Sequence, residues 1–279
     1  MPPRARPAGG KSLNLNLRLL TALALAALPV AGLAQFTDPF TTIDAAWITN
    51  RYAPAGFDSV VFDGDSRLRL TIADSGSTAN RDPAFSTPFY NTQGRQRAGD
   101  ITGPWSLSAQ IFIASAFDTT TGPLASGDLW GHSGTTGAGG DYLIFGFTNA
   151  SLTNSETLNA TAADRTFRFR AYDGNTGNWF DLGVPAGFVF DTWHTLSASS
   201  TGTVFEYRLD GALLLTNPTA AGNDLLSAMV QGYNFGQPGS YAVYWDAVTA
   251  TAIPEPATTA ILAALAVLGF AAGRRRTAP

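Results

Sequence analysis

Between residues 35 and 252 the chain alternates apolar and polar positions in short runs, and helical periodicity is almost absent. The runs are rich in Val, Ile, Thr and aromatic residues, and Gly, Asn, Asp and Pro separate them. Residues 105–113, for example, carry an apolar side chain at every second position. This pattern is typical of half-buried strands joined by turns. It predicts an all-β fold, a single antiparallel β-sandwich of two sheets.

Two hairpins can be placed from turn residues. Residues 57–62 and 67–72 flank Asp63-Gly64, and residues 203–209 and 213–215 flank Asp210-Gly211. Asp-Gly favours turns with positive φ between paired strands. In residues 166–172 the alternation separates two faces, because Phe167, Phe169 and Ala171 share one side and Arg168, Arg170 and Tyr172 share the other.

Two long segments lack this alternation. Residues 74–100 are predicted as a long loop or an irregular edge, a kind of segment that is often functional in a compact domain. Residues 117–140 are rich in Gly, Ser and Thr and are predicted as a flexible surface loop. A phosphate-binding loop is disfavoured here, because neither Gly-Lys-Ser/Thr nor a helix follows the glycines.

The N-terminus has the three parts of a secretory signal peptide. Basic residues lie between positions 4 and 18, residues 19–30 are apolar, and Gly32-Leu33-Ala34 provides a small-x-small cleavage site before Gln35. A first transmembrane helix is disfavoured, because the apolar run has only 12 residues and contains Pro29. We therefore expect residues 1–34 to be removed between Ala34 and Gln35 by signal peptidase after export.

The C-terminus has a different three-part pattern. Pro254-Glu255-Pro256 precedes the uncharged, apolar residues 257–273, and Arg274, Arg275 and Arg276 follow them. A helix of that length spans roughly 25 Å, at the short end of what crosses a bilayer. The arginines hold their end in the cytoplasm, so residues 35–252 are expected on the far side of the membrane.

This tail resembles the PEP-CTERM sorting signal of Gram-negative bacteria in all three of its parts. The resemblance implies recognition by a membrane-embedded processing enzyme of the exosortase type and delivery to the cell surface or extracellular matrix. The alternative is an ordinary C-terminal membrane anchor whose prolines end the preceding domain.

A second resemblance covers most of residues 36–250. A Trp193-His194 strand precedes a strand ending in Leu209-Asp210-Gly211, as in laminin G-like members of the concanavalin A-like jelly-roll group. Residues 36–40 and 241–248 look like the first and last strands of that group, which pair with each other.

Charge and composition narrow the function classes. Residues 35–252 hold 18 Asp and 2 Glu against 10 Arg and no Lys, a net charge of −10. Nucleic acid and anionic membrane surfaces are therefore poor partners. The chain has no cysteine, which excludes thiol catalysis and cysteine-ligated metal.

Candidate catalytic residues are scarce. Glycoside hydrolysis usually needs two carboxyl groups, and the sandwich hydrolases that this fold resembles supply them from a Glu-x-Asp-x-Glu strand. No such run exists, and Glu156 and Glu206 are the domain's only glutamates. His132 and His194 are the only histidines, so a three-histidine metal site is excluded. No catalytic residue is assigned.

Metal binding is not predicted either. Asp63-Gly64-Asp65 and Asp173-Gly174-Asn175 lack the spacing of a calcium loop, and ordinary turns explain both. No cofactor is expected. Structural calcium assembled from separate loops, as the laminin G-like resemblance implies, is left open.

The candidate glycan-binding residues are aromatic and cationic. Trp130 and His132 lie together between two Gly/Ser-rich stretches, although a buried Trp beside a solvated His is the simpler interpretation. Arg168, Arg170 and Tyr172 form an outward row, and Trp179 follows the next turn. Such a row can hold acidic polysaccharide through paired hydrogen bonds, or it can simply be solvated.

The sequence thus predicts an exported, non-catalytic surface or matrix protein that binds glycan or exopolysaccharide. The alternative is a polysaccharide hydrolase or lyase with unrecognised catalytic residues. A structure that joins His132 or His194 to Tyr, Arg or Asp side chains with shifted pKa values would favour the alternative.

Overall fold

The computed structural model describes residues 34–73, 88–118, 122–135, 140–150, 165–174, 177–218, 224–233, 235 and 239–254. All of these except Pro254 belong to one compact unit, Leu33–Ile253. The predicted signal peptide before Ala34, the predicted helix at 257–273, Glu255, Pro256 and the arginines at 274–276 lie outside the described residues. Across the described ranges, no helix has the length and apolar character needed to cross a membrane.

The described residues form fifteen strands. They are β1 Ala34–Asp38, β2 Ile48–Arg51, β3 Gly56–Phe62, β4 Asp65–Ala73, β5 Thr92–Ile101, β6 Trp105–Ile113, β7 Ser126–Gly134, β8 Gly140–Thr148, β9 Arg168–Asp173, β10 Asn178–Gly183, β11 Thr192–Ser200, β12 Val204–Leu209, β13 Ala212–Pro218, β14 Asp224–Tyr233 and β15 Ser240–Ala252. Short 3-10 turns occupy Pro88–Tyr90 and Ser115–Phe117.

The strands build two antiparallel sheets, which confirms the predicted sandwich. The front sheet has seven strands in the order β10-β9-β8-β7-β14-β5-β2. The back sheet has eight, in the order β13-β12-β11-β6-β15-β4-β3, with β1 added beside β15. β1 pairs with β15 from Ala34↔Thr251 to Asp38↔Val248, so the first and last strands are neighbours as the jelly-roll resemblance implies.

The core lies between the two sheets and follows the predicted alternation. Every second residue of β6, from Trp105 to Ile113, is at most 1% exposed. From the front sheet, Phe145 and Phe169 enter the same apolar cluster. Burying each such side chain stabilises the fold by about 1.5–3 kcal/mol. The alternate residues of both sheets therefore face outward, and those of the front sheet form the site described below.

The prediction of a flexible surface loop at 117–140 is wrong for Ser126–Gly134, which forms β7 near the middle of the front sheet. Glycines hide its alternation, because Gly127 and Gly131 occupy core-facing positions. A Cβ atom would come 2.8 Å from Phe147 at the first and 2.9 Å from Trp105 at the second. These glycines therefore make room for large aromatic side chains.

The prediction of a loop or irregular edge is likewise wrong for Thr92–Ile101, which forms β5. Arginine occupies inward positions of this strand, where an apolar residue would be expected. Arg95 lies over the ring of Phe57 at 4.7 Å and Arg97 over Phe36 at 4.6 Å. Guanidinium stacking thus replaces aliphatic packing at this edge of the sandwich.

Candidate functional site

The structure places all six predicted glycan-binding residues on the outer face of the front sheet. Asp128, Trp130 and His132 occupy every second position of β7, so they form one outward row. Arg168, Arg170 and Tyr172 form the row of β9, and Trp179 of β10 pairs with Tyr172. β8 lies between β7 and β9, so the two rows are next-nearest neighbours in the sheet.

A buried ion pair joins those two rows. Asp128 pairs with Gly146 of β8, and Gly146 pairs in turn with Arg170. Arg170 donates from Nε to Asp128 Oδ1 at 3.2 Å and from Nη2 to Oδ2 at 2.8 Å. A Cβ on Gly146 would lie 2.6 Å from Asp128 Oδ1. The glycine thus leaves the space in which the carboxylate and the guanidinium meet.

Further contacts fix this pair in place. Asp128 is 0% exposed and Arg170 is 1% exposed. Ser126 Oγ donates to Asp128 Oδ2 at 3.0 Å, and the guanidinium of Arg170 lies 4.3 Å from the ring of Trp179. Arg168 is different, because it pairs with the exposed carboxylate of Asp181 at 3.0 Å. Both arginines of the predicted row are therefore already paired with carboxylates.

Aromatic rings cover the middle of this face. Trp130, Ile144 and Met229 form a small buried cluster, against which half-buried aromatic side chains pack. Phe89, from the turn before β5, lies 4.9 Å from Tyr172 and 5.7 Å from Trp130. Tyr172 and Trp179 are 5.0 Å apart. The interpretation of a buried tryptophan beside a solvated histidine is correct for Trp130, which is 2% exposed, but not for His132, which is half-buried.

His132 and Tyr142 are directly opposite each other on β7 and β8. Their rings are stacked, with centroids 4.9 Å apart and planes at 27°. Arg51, at the end of β2, completes the group: its Cζ lies 4.7 Å from the ring of Tyr90 and 5.0 Å from those of Tyr142 and Trp130. We call His132, Tyr142 and Arg51 the front triad.

The backbone and an amide network position Arg51. Its φ of 58° turns the chain at the edge of the sheet. Arg51 Nη1 donates to Asn50 Oδ1 at 2.5 Å, and Gln231 Nε2 donates to the same oxygen at 2.8 Å. Asn50 Nδ2 donates in turn to Gln96 at 2.6 Å. The guanidinium is thus attached to β5 and β14 rather than left on a free strand end.

The environment of the front triad shifts its proton affinities. Burial, and then the charge of Arg51, lower the pKa of His132, while a hydrogen bond to the Gly140 backbone and the charge of Asp141 oppose this. Burial raises the pKa of Tyr142, and Arg51 opposes that shift through its charge and a hydrogen bond. Near neutral pH, His132 is therefore neutral and Tyr142 keeps its proton. Burial also lowers the pKa of Arg51, which still remains a cation.

The other histidine has a structural role. His194 is 6% exposed, and Nδ1 contacts Asp210 Oδ2 at 2.7 Å while Nε2 contacts the Val189 carbonyl oxygen at 2.8 Å. Both ring nitrogens are thus used inside the back sheet. Glu206 pairs with Arg208 at 2.9 Å, as expected of a solvated strand face.

Metal ligands are not grouped within the described ranges, where no three His, Asp or Glu side chains come together.

Asp63-Gly64 and Asp210-Gly211 take the predicted positive φ, with values of 53° and 81° in the first and 50° and 80° in the second. The turns of the hairpins are therefore confirmed.

Sequence reasoning missed four residues of this face: Arg51, Tyr90, Asp128 and Tyr142. Two of them, Tyr90 and Asp128, lie in segments predicted as loops. Tyr142 had a usable signal, because alternation predicts a strand at residues 141–148 in which Tyr142 faces away from the core residues Leu143 and Phe145. Arg51 had no such signal in the sequence. It lies at the end of a short edge strand, and the positive φ of Arg51 directs the chain at the site.

Comparison with known proteins identifies the tail first. Residues 252–276 match the PEP-CTERM protein-sorting motif, so the chain carries a sorting motif that implies export and processing by exosortase-type machinery. No curated protein matches the sequence.

Solved structures with the same fold include glycoside hydrolases. A GH16 protein of a Bacteroides ovatus mixed-linkage glucan locus, in complex with its product, has a TM-score of 0.53, 12% identity, and coverage of 77% of this chain and 99% of its own. A glycoside hydrolase family 16 endo-glucanase from Bacteroides ovatus has a TM-score of 0.52, with 12% identity and the same coverage. The cellulose-induced protein Cip1 has a TM-score of 0.50 at 11% identity, covering 78% and 97%.

These likenesses show a concanavalin A-like jelly roll, the fold that the sequence predicted. The prediction of a non-catalytic domain is contradicted, because neighbours of this fold are GH16 proteins, one of them named an endo-glucanase. They favour the alternative of a polysaccharide hydrolase or lyase. The prediction was wrong because it relied on the absence of a Glu-x-Asp-x-Glu strand. That pattern identifies one catalytic arrangement, and its absence does not exclude others.

Proposed function

We propose that the protein is an exported polysaccharide-cleaving enzyme whose active site is the outer face of the front sheet. The observation that carries this proposal is the front triad, in which a neutral histidine, a protonated tyrosine and an arginine are in contact. Clustered groups with shifted pKa values are typical of catalytic sites. The Bacteroides ovatus neighbours, one named an endo-glucanase and the other in complex with its product, support the assignment of substrate class.

The two titrating groups have complementary roles. A hydrogen bond that raises the pKa of His132 is accepted by the Gly140 carbonyl, so one ring nitrogen donates and the other keeps its lone pair. That second nitrogen is a general base. Tyr142 keeps its proton and is the matching general acid, and such groups contribute about 10²–10⁴-fold each to a reaction rate.

The rings beside the front triad bind sugar. Tyr172 and Trp179 are half-buried and present ring surface at the outer end of the face. The apolar CH face of a sugar ring packs on such surfaces, and the large contact area of aromatic side chains stabilises the complex. Farther along β9, Arg168 pairs with the exposed carboxylate of Asp181 and offers hydrogen-bonding groups at the rim.

The test is turnover by the full-length chain purified in detergent. Release of reducing ends from at least one polymer in a panel of neutral and acidic polysaccharides is expected. His132→Ala should lower it by at least about 100-fold, whereas His194→Gln, on the back sheet, tests for a general effect of histidine loss. Absence of products from every polymer contradicts the proposal.

We also propose that the ends of the chain direct its export. Signal peptidase removes residues 1–34, the helix at 257–273 holds the domain 35–252 outside the cytoplasm, and an exosortase-type enzyme then processes the tail near Pro254, Glu255 and Pro256. Mass spectrometry of both termini in a Gram-negative host should find Gln35 first and the arginines at 274–276 missing; an intact Met1 contradicts it.

A further inference from the structure

We infer that this site cleaves a polysaccharide that contains uronic acid, by β-elimination rather than by hydrolysis. The inference rests on the proposed function and specifies its substrate class and reaction. It depends on the contact of His132, Tyr142 and Arg51 and on the way the nearby carboxylates are paired.

The carboxylates of this face are not arranged for hydrolysis. Hydrolysis of a glycosidic bond uses one carboxylic acid and one carboxylate that both reach the sugar. Within the described residues, Asp141 of β8 acts on His132 through its charge, and Asp224 of β14 accepts a hydrogen bond from the Gly103 backbone. The rows of β7 and β10 carry two further outward carboxylates, Asp128 and Asp181. Asp128 is 0% exposed and accepts hydrogen bonds from Arg170 and Ser126. Asp181 accepts from Arg168 and from the Gly183 backbone. Neither carboxylate lies in the front triad.

The cation of the front triad fits a sugar carboxylate. The guanidinium of Arg51 lies among the rings of Tyr90, Trp130 and Tyr142, within 4.7–5.0 Å of each centroid. Aromatic surroundings lower the local dielectric and strengthen its attraction for an anion. A planar guanidinium also matches a carboxylate through two parallel hydrogen bonds. A neutral glucan has no group that uses this cation in the same way.

Charge neutralisation by Arg51 makes the elimination feasible. The hydrogen on the sugar carbon beside the carboxylate becomes more acidic once a cation neutralises that carboxylate. His132 takes this proton on its free ring nitrogen, and the electron pair left behind forms a carbon–carbon double bond as the adjacent bond to the glycosidic oxygen breaks. Tyr142 gives its proton to the departing oxygen. No water is consumed, and proton transfer from imidazolium to tyrosinate restores both groups.

Neighbouring rings place the base and the acid on the same substrate. His132 and Tyr142 are stacked at 4.9 Å, so both polar ends can reach a single sugar unit that lies on Arg51. Elimination requires the proton and the leaving oxygen to occupy adjacent carbons, which a close base and acid satisfy. An inverting hydrolase instead needs space for an attacking water on the opposite side of the sugar, and a retaining hydrolase needs a carboxylate there as nucleophile.

The experiment separates this inference from the proposed function. Full-length protein is incubated with polyguluronate, polymannuronate and polygalacturonate, and with mixed-linkage glucan as the neutral polymer. Reducing ends measure cleavage of any kind, and ultraviolet absorbance measures the conjugated double bond that only elimination produces. Mass spectrometry of the oligosaccharides distinguishes the two as well, because the fragments from elimination together lack one water relative to those from hydrolysis.

Each outcome decides one of the two claims. Unsaturated products from at least one uronate polymer support the inference. Reducing ends with saturated products, from any polymer, overturn the inference and leave the proposed function in place. No cleavage of any polymer overturns both.

Two variants test the roles of the triad. His132→Ala should lose at least 100-fold in rate and recover part of it with added imidazole, since a small base can occupy the space of the lost ring. A merely structural role for His132 predicts no such rescue. Arg51→Lys keeps the charge but not the planar fork, and we expect its KM for uronate polymer to rise more than its kcat falls. Equal activity of Arg51→Gln and the unchanged protein contradicts the role of the cation.

Discussion

The two outer faces of the sandwich are both aromatic, yet they differ in what surrounds the rings. On the back sheet, Phe62 and Tyr244 stack at 3.8 Å, and Phe112 and Trp193 extend the patch. Arg67 lies over Trp193, and Asp63 accepts a hydrogen bond from its indole at 3.0 Å. On the front sheet, rings instead surround a histidine, a tyrosine hydroxyl and a guanidinium. Aromatic surface by itself therefore does not distinguish the face proposed to be catalytic from the other one.

Burial of polar groups separates the faces more clearly. The outward residues of β6 on the back sheet, Ser106, Ser108 and Gln110, are half-exposed side chains that water can solvate. The front sheet buries Asp128, Arg170 and Gln231 to 0–1% exposure on its outer side. Burying such groups costs free energy unless they are paired, as Asp128 and Arg170 are. The back sheet also buries Asp246, at 6% exposure beside Arg67, so the two faces differ in degree.

The largest expected effect is a loss of cleavage rate when the hydroxyl of Tyr142 is removed, and removal of a hydroxyl on the back sheet is its matched control. Tyr142→Phe removes the proposed general acid, and we expect the rate of polysaccharide cleavage to fall by about 10²–10⁴-fold. Tyr244→Phe makes the same chemical change on the back sheet and should leave the rate unchanged. Initial rates on the best polymer compare the two. Similar rates for both variants would contradict the assignment of the active site to the front sheet.

Next in size is the buried ion pair. Asp128→Asn leaves the guanidinium of Arg170 buried without its counter-charge, and we expect it to lower the free energy of unfolding by about 3–5 kcal/mol. Asp181→Asn affects an exposed pair of the same residue types and should cost about 0–1 kcal/mol. Urea unfolding of both variants measures the difference. Equal stabilities would show that the front face does not depend on Asp128.

A smaller loss is expected from filling the space beneath that pair. Gly146→Ala places a Cβ 2.1 Å from the Gly127 carbonyl oxygen and 2.6 Å from Asp128 Oδ1, so both must move. We expect the free energy of unfolding to fall by about 1–3 kcal/mol, as for other overpacked sites. Thermal unfolding measures it, and wild-type stability for this variant would mean that β7 and β8 are spaced differently.

The smallest effect is a shift in the titration of His132. Burial, followed by the charge of Arg51, lowers its pKa, so the ring stays neutral as pH falls through the ordinary histidine range. Because the unfolded chain binds that proton first, this histidine contributes stability above its unfolded pKa and loses it as the pH falls. Arg51→Gln removes a cation that lowers the pKa of His132, so the pKa should rise. The other titratable groups that face the ring, Tyr142, Tyr90 and Asp141, are unchanged in this variant.

Nuclear magnetic resonance can follow this titration, because the chain has only two histidines. The signals of His194 serve as the internal control, since that residue lies in the other sheet. A pKa of His132 that is unchanged by Arg51→Gln would show that the guanidinium does not act on the ring.

The sequence predicted the fold well where alternation is unbroken. In β6 and β9 the inward residues are mainly apolar and the outward residues mainly polar, as their patterns predicted. Phe112 is an aromatic exception on the outward side of β6. The prediction failed at β7, because Gly127 and Gly131 occupy inward positions where they leave space for aromatic side chains. It failed at β5, because the inward residues Arg95 and Arg97 stack on aromatic rings. Such substitutions are meaningful only when the partner from another strand is known.

The site was predicted in part for the same reason. The row of Arg168, Arg170 and Tyr172 follows from alternation within one strand. The pairing of Asp128 with Arg170 depends on the order β7-β8-β9 and on Gly146 between them, and the position of Arg51 depends on a backbone turn. Both are consequences of topology, which a single sequence does not encode in its spacing.

The most direct test is a crystal structure of His132→Gln with a bound uronate oligosaccharide. The account predicts a sugar on the front sheet, with its carboxylate on Arg51 and its glycosidic oxygen within hydrogen-bond distance of the Tyr142 hydroxyl. An oligosaccharide bound to the patch of Phe62, Trp193 and Tyr244 on the back sheet, with the front triad empty, would contradict it.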